Sequence, residues 1–314
     1  METEMDTAVA RTARQVAEAA LSWLDGMRGS FALPTDTPDD HVLGDALKAL
    51  AELTLATALV RREAIAGPRS ADLADRLLDF CWQQVGQGEL LYRLQARTPA
   101  ATYPMEIYAP FAAAGYRHER LDRLAAQLYG LRAYRVVEHV PNRRLALVSA
   151  AAKIGVAVPD DLAALTGQTW LGGTPEPWML DPSNAYGVTH TVFHLTDWGA
   201  RPEGLPPQLQ DYLHQWLPAW AEVYCETRLW DLLLEMLMVG TCLGRPLFSR
   251  AIWEQVAAAQ RADGMMPNGM TKPPADPHRA WRNHHHPTIV AVAAGTLTLS
   301  RAVSHAATGA RSKT

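Results

Sequence analysis

Stretches rich in alanine and leucine, with apolar residues recurring every three or four positions, run through most of this chain of 314 residues. Residues 42–59 form one such stretch, with apolar side chains at Leu43, Leu47, Leu50 and similarly spaced positions. This period lines apolar side chains along one face of an α-helix, whereas the alternating β-branched runs typical of strands are scarce. The sequence therefore predicts an all-α fold.

The same period predicts about twelve helices with short connections rich in glycine and proline. They cover residues 8–24, 42–59, 71–85, 105–114, 119–129, 143–154, 160–165, 184–195, 207–225, 229–243, 249–261 and 287–303. No linker is long or distinct enough to separate two domains, so we expect one domain over residues 1–306. Residues 307–314 are small, polar and basic, which predicts a disordered tail.

Composition limits which classes of partner and which cellular compartment the sequence predicts. A formal net charge of −4 argues against nucleic acid, which requires a basic face. There is no polybasic patch and no apolar run near the roughly 18 residues of a membrane span, so we expect no membrane partner. Three cysteines without a paired spacing and a start without a signal pattern predict a cytoplasmic protein. The sequence does not specify an oligomeric state.

Residues 253–266 read W-E-Q-V-A-A-A-Q-R-A-D-G-M-M, a helix that ends in Q-x-x-D-G. This ending resembles the helix-end motif of α/α toroids, the ring architecture of terpene cyclases and prenyltransferases. The resemblance implies an (α/α)6-type ring built from helical hairpins.

Polar residues near the expected starts of alternate helices agree with that architecture, because they are spaced roughly one helical hairpin apart. They are His41, Glu106, Arg143, His190, Asp231 and His286. In a ring they would line one mouth, towards which the positive ends of the inner helices also point. We interpret His41, Glu106 and Arg143 as substrate-binding residues.

The segment 186–199 reads Y-G-V-T-H-T-V-F-H-L-T-D-W-G. Tyr186, His190 and His194 are four residues apart and share one helical face, with Asp197 placed to orient an imidazole. Two histidines at this spacing can bind one metal ion, although the glutamate of a zinc-protease helix is missing. The alternative is a partly buried helix whose histidines bond to neighbouring carbonyls. Tyr186 and Trp198 are candidate substrate contacts.

The segment 228–242 is almost uninterruptedly apolar except for Asp231 and Glu235, which are four residues apart. Buried paired acids suit metal binding or general acid–base catalysis. The alternative is that Arg228 neutralises Asp231 for structural reasons.

Residues 281–290 read W-R-N-H-H-H-P-T-I-V. Pro287 suits the first turn of a helix, which predicts His286 at the cap and makes it the best candidate of the three histidines, followed by His285. The alternative is a surface loop with exposed imidazoles.

The chain resembles an uncharacterised helical bacterial family found among genes of specialised metabolism and peptide modification. The resemblance rests on two motifs, Y-x-x-T-H with T-D-W-G in residues 186–199 and H-P-T-I-V in residues 286–290. The resemblance implies a biosynthetic context without a mechanism.

These features predict a tailoring enzyme for a small or peptidyl substrate, carrying out a cyclisation, elimination or oxidation. Its candidate catalytic residues are His190, Asp231, Glu235 and His286. A divalent metal, zinc or iron, is a candidate cofactor, with His190, His194, Asp231 and His286 as its ligands. No nucleotide cofactor is expected, because glycine-rich phosphate loops and the dinucleotide fingerprint are missing. The alternatives are a non-catalytic adaptor that recruits a partner enzyme or peptide, and a purely structural zinc site.

Overall fold

A computed structural model describes the backbone of residues 2–34, 40–158, 160–270 and 274–311, and the side chains of 7–34, 43–158, 160–270 and 274–308. Within these ranges the chain forms fourteen α-helices and no strand, so the all-α prediction is confirmed. The twelve helices of seven residues or more are α1 (Glu2–Gly26), α2 (Asp40–Glu63), α3 (Pro68–Gln84), α4 (Glu89–Arg97), α5 (Tyr103–Ala113), α6 (Glu119–Gly130), α8 (Pro141–Ile154), α10 (Pro182–Thr196), α11 (Pro207–Glu226), α12 (Trp230–Cys242), α13 (Arg250–Ala259) and α14 (Pro277–Arg311). The two shorter ones are α7 (Arg132–Val136) and α9 (Leu162–Gly167).

The helices belong to two compact units. The terminal unit consists of Met1–Leu77 and Gln210–Thr314, and the middle unit of Leu78–Leu209. One domain over residues 1–306 and the closed ring of hairpins both stay predictions.

In the terminal unit, α14 packs along α1, α2 and α12. From Thr288 to Leu299 every residue of α14 is buried, so the helix is surrounded on all faces. Gly295, within this stretch, has no side chain. Gly295 allows the closest approach, because a Cβ atom there would lie 2.4 Å from the carbonyl oxygen of Ala13 and 2.8 Å from the Cβ of Ala17. The absence of a side chain therefore sets the distance between α1 and α14.

The Q-x-x-D-G ending of α13 has a definite structural role in the terminal unit. The side-chain amide of Gln260 donates to the carbonyl oxygens of Val16 in α1 (3.0 Å) and Gly264 (2.9 Å). Gly264 has φ +95°, and a Cβ there would lie 2.1 Å from the carbonyl oxygen of Ala19. The motif fastens the end of α13 to α1, and it requires glycine on both steric and conformational grounds.

Helix α14 differs from its prediction at both ends. The prediction that Pro287 begins the helix is wrong, because α14 begins at Pro277 and contains Pro287 in its interior. Proline removes a single helical hydrogen bond. The hydroxyl of Thr288 donates to the carbonyl of His284 (2.7 Å), and burial on all sides keeps the helix continuous. At the other end the helix extends to Arg311, into the segment predicted as a disordered tail, residues 307–314. The order of that tail in solution stays a prediction.

This greater length also affects the question of a membrane span. Within the described residues one helix, over Pro277–Thr308, is long and apolar enough to cross a membrane, contrary to our expectation that no segment would be. However, 67% of its apolar window is buried inside the protein, as in the core helix of a soluble protein.

In the middle unit, α8 packs against α5 and α10, and α4 packs against α5 and α6. Helices α4 and α7 are missing from the predicted set, since both are short and follow closely on another helix. Helix α10 begins two residues before the predicted Asn184. Its N-cap is Asp181, whose carboxylate accepts a hydrogen bond from the Asn184 amide (2.7 Å).

The tight contact at Gly295 leads to a stability prediction. Replacing Gly295 by alanine should lower the free energy of unfolding by roughly 1–3 kcal/mol, because the new methyl group forces α1 and α14 apart. Gly44→Ala in α2 is the matched control: a Cβ there has no atom within 4 Å. It should raise stability by roughly 0.5–1 kcal/mol through helix propensity. Urea denaturation followed by circular dichroism measures both, and equal midpoints for the two variants would contradict the packing argument.

Candidate functional site

Three helices of the terminal unit bring acidic side chains and an imidazole together. Asp231 lies in the first turn of α12, and Glu235 follows one turn later on the same face. Every residue of α12 from Leu232 to Cys242 is buried, and Glu235 is 5% exposed. The two carboxylates thus stand on a helix that is otherwise committed to the core.

His286 of α14 lies between two carboxylates. Its Nδ1 is 2.9 Å from Oε2 of Glu52 in α2, and its Nε2 is 3.8 Å from Oδ2 of Asp231. The side chain of His286 keeps 32% of its surface exposed, compared with 22% for Glu52 and 16% for Asp231. Glu52, Asp231, Glu235 and His286 are called the His286 cluster below.

The charges of the cluster decide the protonation of His286. Burial, the largest single effect, lowers the pKa of His286, but the hydrogen bond and charge of Glu52 and the charges of Glu235 and Asp231 together outweigh it. The net result is a pKa above the usual 6.5. Because a carboxylate can only accept hydrogen bonds, the N–H at Nδ1 donates a hydrogen bond to Glu52. The other ring nitrogen, Nε2, faces Asp231.

The other two histidines of the H-H-H run have separate environments. The ring of His285 stacks on Trp281 at 4.8 Å between centroids, and its Nδ1 lies 3.0 Å from the Trp281 carbonyl oxygen. Burial lowers the pKa of His285. His284 is 1% exposed and accepts a hydrogen bond from the Asn268 amide through Nδ1 (2.8 Å). Of the two candidates from the sequence, His286 therefore contacts the acidic side chains, whereas His285 packs on Trp281.

In the middle unit, Glu106 and Arg143 pair with each other. Arg143 Nη1 lies 2.9 Å from Glu106 Oε2, joining the first turns of α8 and α5. The next residue, Arg144, is buried, donates to the Tyr134 carbonyl (2.7 Å) and pairs with Asp160. Arg143 therefore keeps an exposed guanidinium near the surface, while Arg144 holds the α7–α8 region together.

The helical face predicted for Tyr186, His190 and His194 is present in α10. The ring centroids of Tyr186 and His190 are 6.4 Å apart, and those of His190 and His194 6.1 Å. Burial, followed by the nearby charges of His190, Lys153 and Arg143, holds the pKa of His194 well below 6.5. Trp198 stacks on Phe193 at 4.3 Å, so it packs against α10 from the turn that follows.

Asp197 occupies a different position from the one expected. It is the C-cap of α10 with φ +48°, outside the helix, and its carboxylate pairs with Lys153 of α8. A residue in the left-handed conformation turns its side chain away from the helical face. The three-residue spacing from His194 therefore predicts the wrong direction for the Asp197 side chain.

Only some of the six polar residues that were predicted near helix starts lie there in the structure. Glu106, Arg143 and Asp231 lie in first turns, as predicted. His41 follows the first residue of α2, but its side chain lies outside the described residues. His190 and His286 are interior residues of α10 and α14. Both were assigned to a start because the sequence places the first turn of their helices too late.

The described part of the chain contains no group of three or more histidine, cysteine, aspartate or glutamate side chains placed to hold a metal ion. His190 and His194 lie in the middle unit, and Asp231 and His286 in the terminal unit. The set of four metal ligands stays a prediction.

Glu52 is the residue that sequence reasoning missed. It lies in the apolar stretch of α2, where its neighbours Leu53 and Thr54 are buried, and one turn after Lys48, whose Nζ is 3.9 Å from Glu52 Oε1. A single carboxylate in a core-facing stretch of helix, the feature that identified Glu235, was present here too.

The cluster predicts the titration of His286. In wild type its pKa, measured by NMR of the imidazole carbons, should exceed 6.5, and Glu52→Gln should lower it by removing both charge and hydrogen bond. A raised folded pKa stabilises the protein below the unfolded pKa of 6.5, and this stabilisation disappears as pH rises through the folded pKa. The stability difference between wild type and Glu52→Gln should therefore be largest below pH 6.5 and narrow above it.

Asp45→Asn is the control, since it removes the same charge from an exposed position of the same helix. It should leave the pKa of His286 nearly unchanged. An equal decrease of the pKa in both variants would indicate a general charge effect and contradict the specific role of Glu52.

Comparison with curated proteins and with solved structures finds no significant match. A family model described as a domain of unknown function (DUF6895) matches residues 17–296. This range contains all four residues of the His286 cluster and every helix except the first and last, each of which it covers in part. The match covers most of the chain, and the chain therefore belongs to the DUF6895 family.

Proposed function

We propose that this protein is an enzyme that transfers protons through His286 in a cyclisation or elimination of a small or peptidyl substrate. The observation that carries the proposal is the position of the imidazole between Glu52 and Asp231, with part of its surface open to solvent. A histidine held by a carboxylate on one nitrogen and free to exchange a proton on the other is suited to general acid–base catalysis.

Glu52 acts as a positioning residue in this proposal. Its hydrogen bond to Nδ1 fixes the ring orientation and the tautomer, so that Nε2 is the nitrogen that exchanges protons. The raised pKa keeps a larger fraction of His286 protonated near neutral pH, and protonated Nε2 can donate to a leaving group or a carbonyl oxygen. Asp231, 3.8 Å from Nε2, stabilises the imidazolium and can accept a proton from a substrate group between them.

The charge of the site also suggests its substrate. Three carboxylates surround one imidazolium, so the cluster carries net negative charge. Glu235 contributes to this field from a buried position, where its charge is poorly screened by water. A substrate with an amine or another cationic group near its reacting atoms would be favoured there.

We also propose the biosynthetic, peptide-modification context and the cytoplasmic location suggested by the sequence. All three cysteines are free thiols, which fits a reducing compartment. A zinc or iron cofactor can be tested by elemental analysis of tag-free protein. The acid–base proposal assigns no step to a metal.

Mass spectrometry can test the catalytic proposal without a known substrate. Small-molecule and peptide fractions of the source cells are incubated with wild type, His286→Gln and Glu52→Gln, and consumed and newly formed ions are compared. Wild type should convert at least one component by loss of a neutral molecule or by isomerisation. His286→Gln should be slower by about 10²–10⁴, as is typical for loss of a general acid or base. Glu52→Gln should retain partial activity with its pH profile shifted to lower pH.

The control is His278→Gln, an exposed histidine on the same helix, which should act like wild type. Conversion at an unchanged rate by His286→Gln would overturn the assignment of the proton-transfer residue. If wild type converts nothing in any fraction, the result speaks against the enzyme and for the alternative below.

One observation favours the alternative, an adaptor that binds a peptide or partner enzyme. Trp178 and Met179, in a short 3-10 turn before α10, are 77% and 62% exposed. Adjacent large apolar side chains with this exposure are typical of residues that become buried on binding.

If this alternative holds, a peptide or protein cross-linked to the wild type in cell extract should be lost from the Trp178→Ala/Met179→Ala double variant. His286→Gln should still capture it. Met270→Ala, at a residue 76% exposed in the terminal unit, is the control. Capture that is equal in the double variant and in wild type would reject a role for this turn.

A further inference from the structure

A cavity of about 500 Å³ opens in the terminal unit between α1 and the start of α3. Its polar lining comes from two short segments, the middle of α1 and the residues around the first turn of α3. These polar and backbone contributors are Arg14, Gln15, Glu18, Ser22, Gly67, Arg69 and Ser70. None of them belongs to the His286 cluster.

Two arginines give this cavity a positive lining. Arg14 pairs with Glu18 through Nε (2.7 Å), and its Nη2 lies 3.4 Å from the position of a Cβ on Gly67, against the start of α3. Arg69 forms no ion pair with any residue in the described part of the chain. One guanidinium is thus held in place by a carboxylate, and the other has no ion-pair partner among the described residues.

The start of α3 adds backbone donors. The first helical hydrogen bond runs from the Ala71 amide to the Gly67 carbonyl (3.0 Å). The amides of Arg69 and Ser70 come before it in the chain, so they have no acceptor within the helix. Pro68 has no amide hydrogen. A helix of 17 residues has a positive end here, where anions are stabilised by its dipole and its free amides.

Ser70 provides an independent indication of a ligand. The residue is 5% exposed and lines the cavity, yet its hydroxyl bonds to none of the described residues. Its oxygen is in contact with the cavity, where it can donate a hydrogen bond to a ligand or accept one from it. A ligand oxygen in the cavity would form such a bond.

A small apolar crevice continues from the cavity towards the core of the unit. It shares Arg14, Glu18, Ala66 and Ser70 with the cavity. Its further lining is mainly apolar, from Ala17, Leu21, Val60, Val292 and Leu299. Its volume of about 10 Å³ leaves room for no more than a water-sized group, so a ligand has to be held by the cavity itself.

We propose that this cavity binds the phosphate group of a small phosphorylated molecule. Two guanidinium groups, two amides and a hydroxyl suit the three terminal oxygens of a phosphate monoester better than the two oxygens of a carboxylate. The site is separate from the proposed catalytic one: no residue of the His286 cluster lines the cavity, and Val292 of the crevice is six residues after His286, about 9 Å along α14. The protein therefore has a second ligand site, and its test does not depend on the catalytic proposal.

Isothermal titration calorimetry of the full chain with inorganic phosphate and with phenyl phosphate, at matched ionic strength, tests this site. Wild type should bind both saturably, because both present the same phosphate group to the cavity. Arg69→Gln should weaken binding about tenfold or more, and Ser70→Ala about threefold or more. Arg11→Gln is the matched control, an exposed arginine on α1 that does not line the cavity, and its affinity should stay within about twofold of wild type.

Absence of saturable binding to either phosphate in wild type would overturn the proposal. So would equal weakening by Arg11→Gln and Arg69→Gln, which would indicate non-specific attraction, or acetate binding as tightly as phosphate. Vesicles containing phosphatidic acid present the same group on a lipid. Co-sedimentation with them that is lost in Arg69→Gln would support the site and assign the phosphate to a headgroup rather than a soluble molecule. Circular dichroism of each variant confirms that loss of binding does not reflect unfolding.

Discussion

The close contact between α1 and α14 is the constraint on which the terminal unit depends. Gly295 lets the two backbones approach until only a hydrogen atom fits between α14 and the Ala13 carbonyl. With α2 and α12 packed on its other sides, α14 is buried in all directions over three turns. A polar side chain at the edge of such a helix needs partners from the helices around it, and His286 finds them in α2 and α12.

The sequence was sufficient for the all-α fold and for most helices, because a repeat of three to four residues is a local property. It also identified Asp231 and Glu235 as polar exceptions in an apolar helix and His286 as a residue at a helix cap, and these three side chains act on one another in the structure. The carboxylate of Glu52 interrupts the apolar stretch of α2 and was open to the same reasoning, but its pairing with His286, 234 residues away, is contained in no local pattern. The starts of α10 and α14 were placed too late because Asp181 and Asp276 cap these helices earlier, through bonds to the amides of Asn184 and Arg279.

The H-H-H run shows why residue type alone does not define a site. His284 accepts a backbone hydrogen bond, His285 stacks on Trp281, and only His286 faces carboxylates on both nitrogens. Successive residues of a helix point about 100° apart, so each imidazole meets a different neighbour. The pKa values diverge accordingly: burial lowers those of His284 and His285, while the surrounding charges raise that of His286.

The pairing of α1 with α14 has a consequence for the order in which the chain can fold. Gln260 reaches the Val16 carbonyl across 244 residues, and Gly295 meets α1 from still further along the chain. During synthesis from the N-terminus, α1 and α2 leave the ribosome long before the helix that covers them. The middle unit, by contrast, is continuous in sequence. Its contacts can form first, whereas the core of the terminal unit has to wait until the last helix is complete.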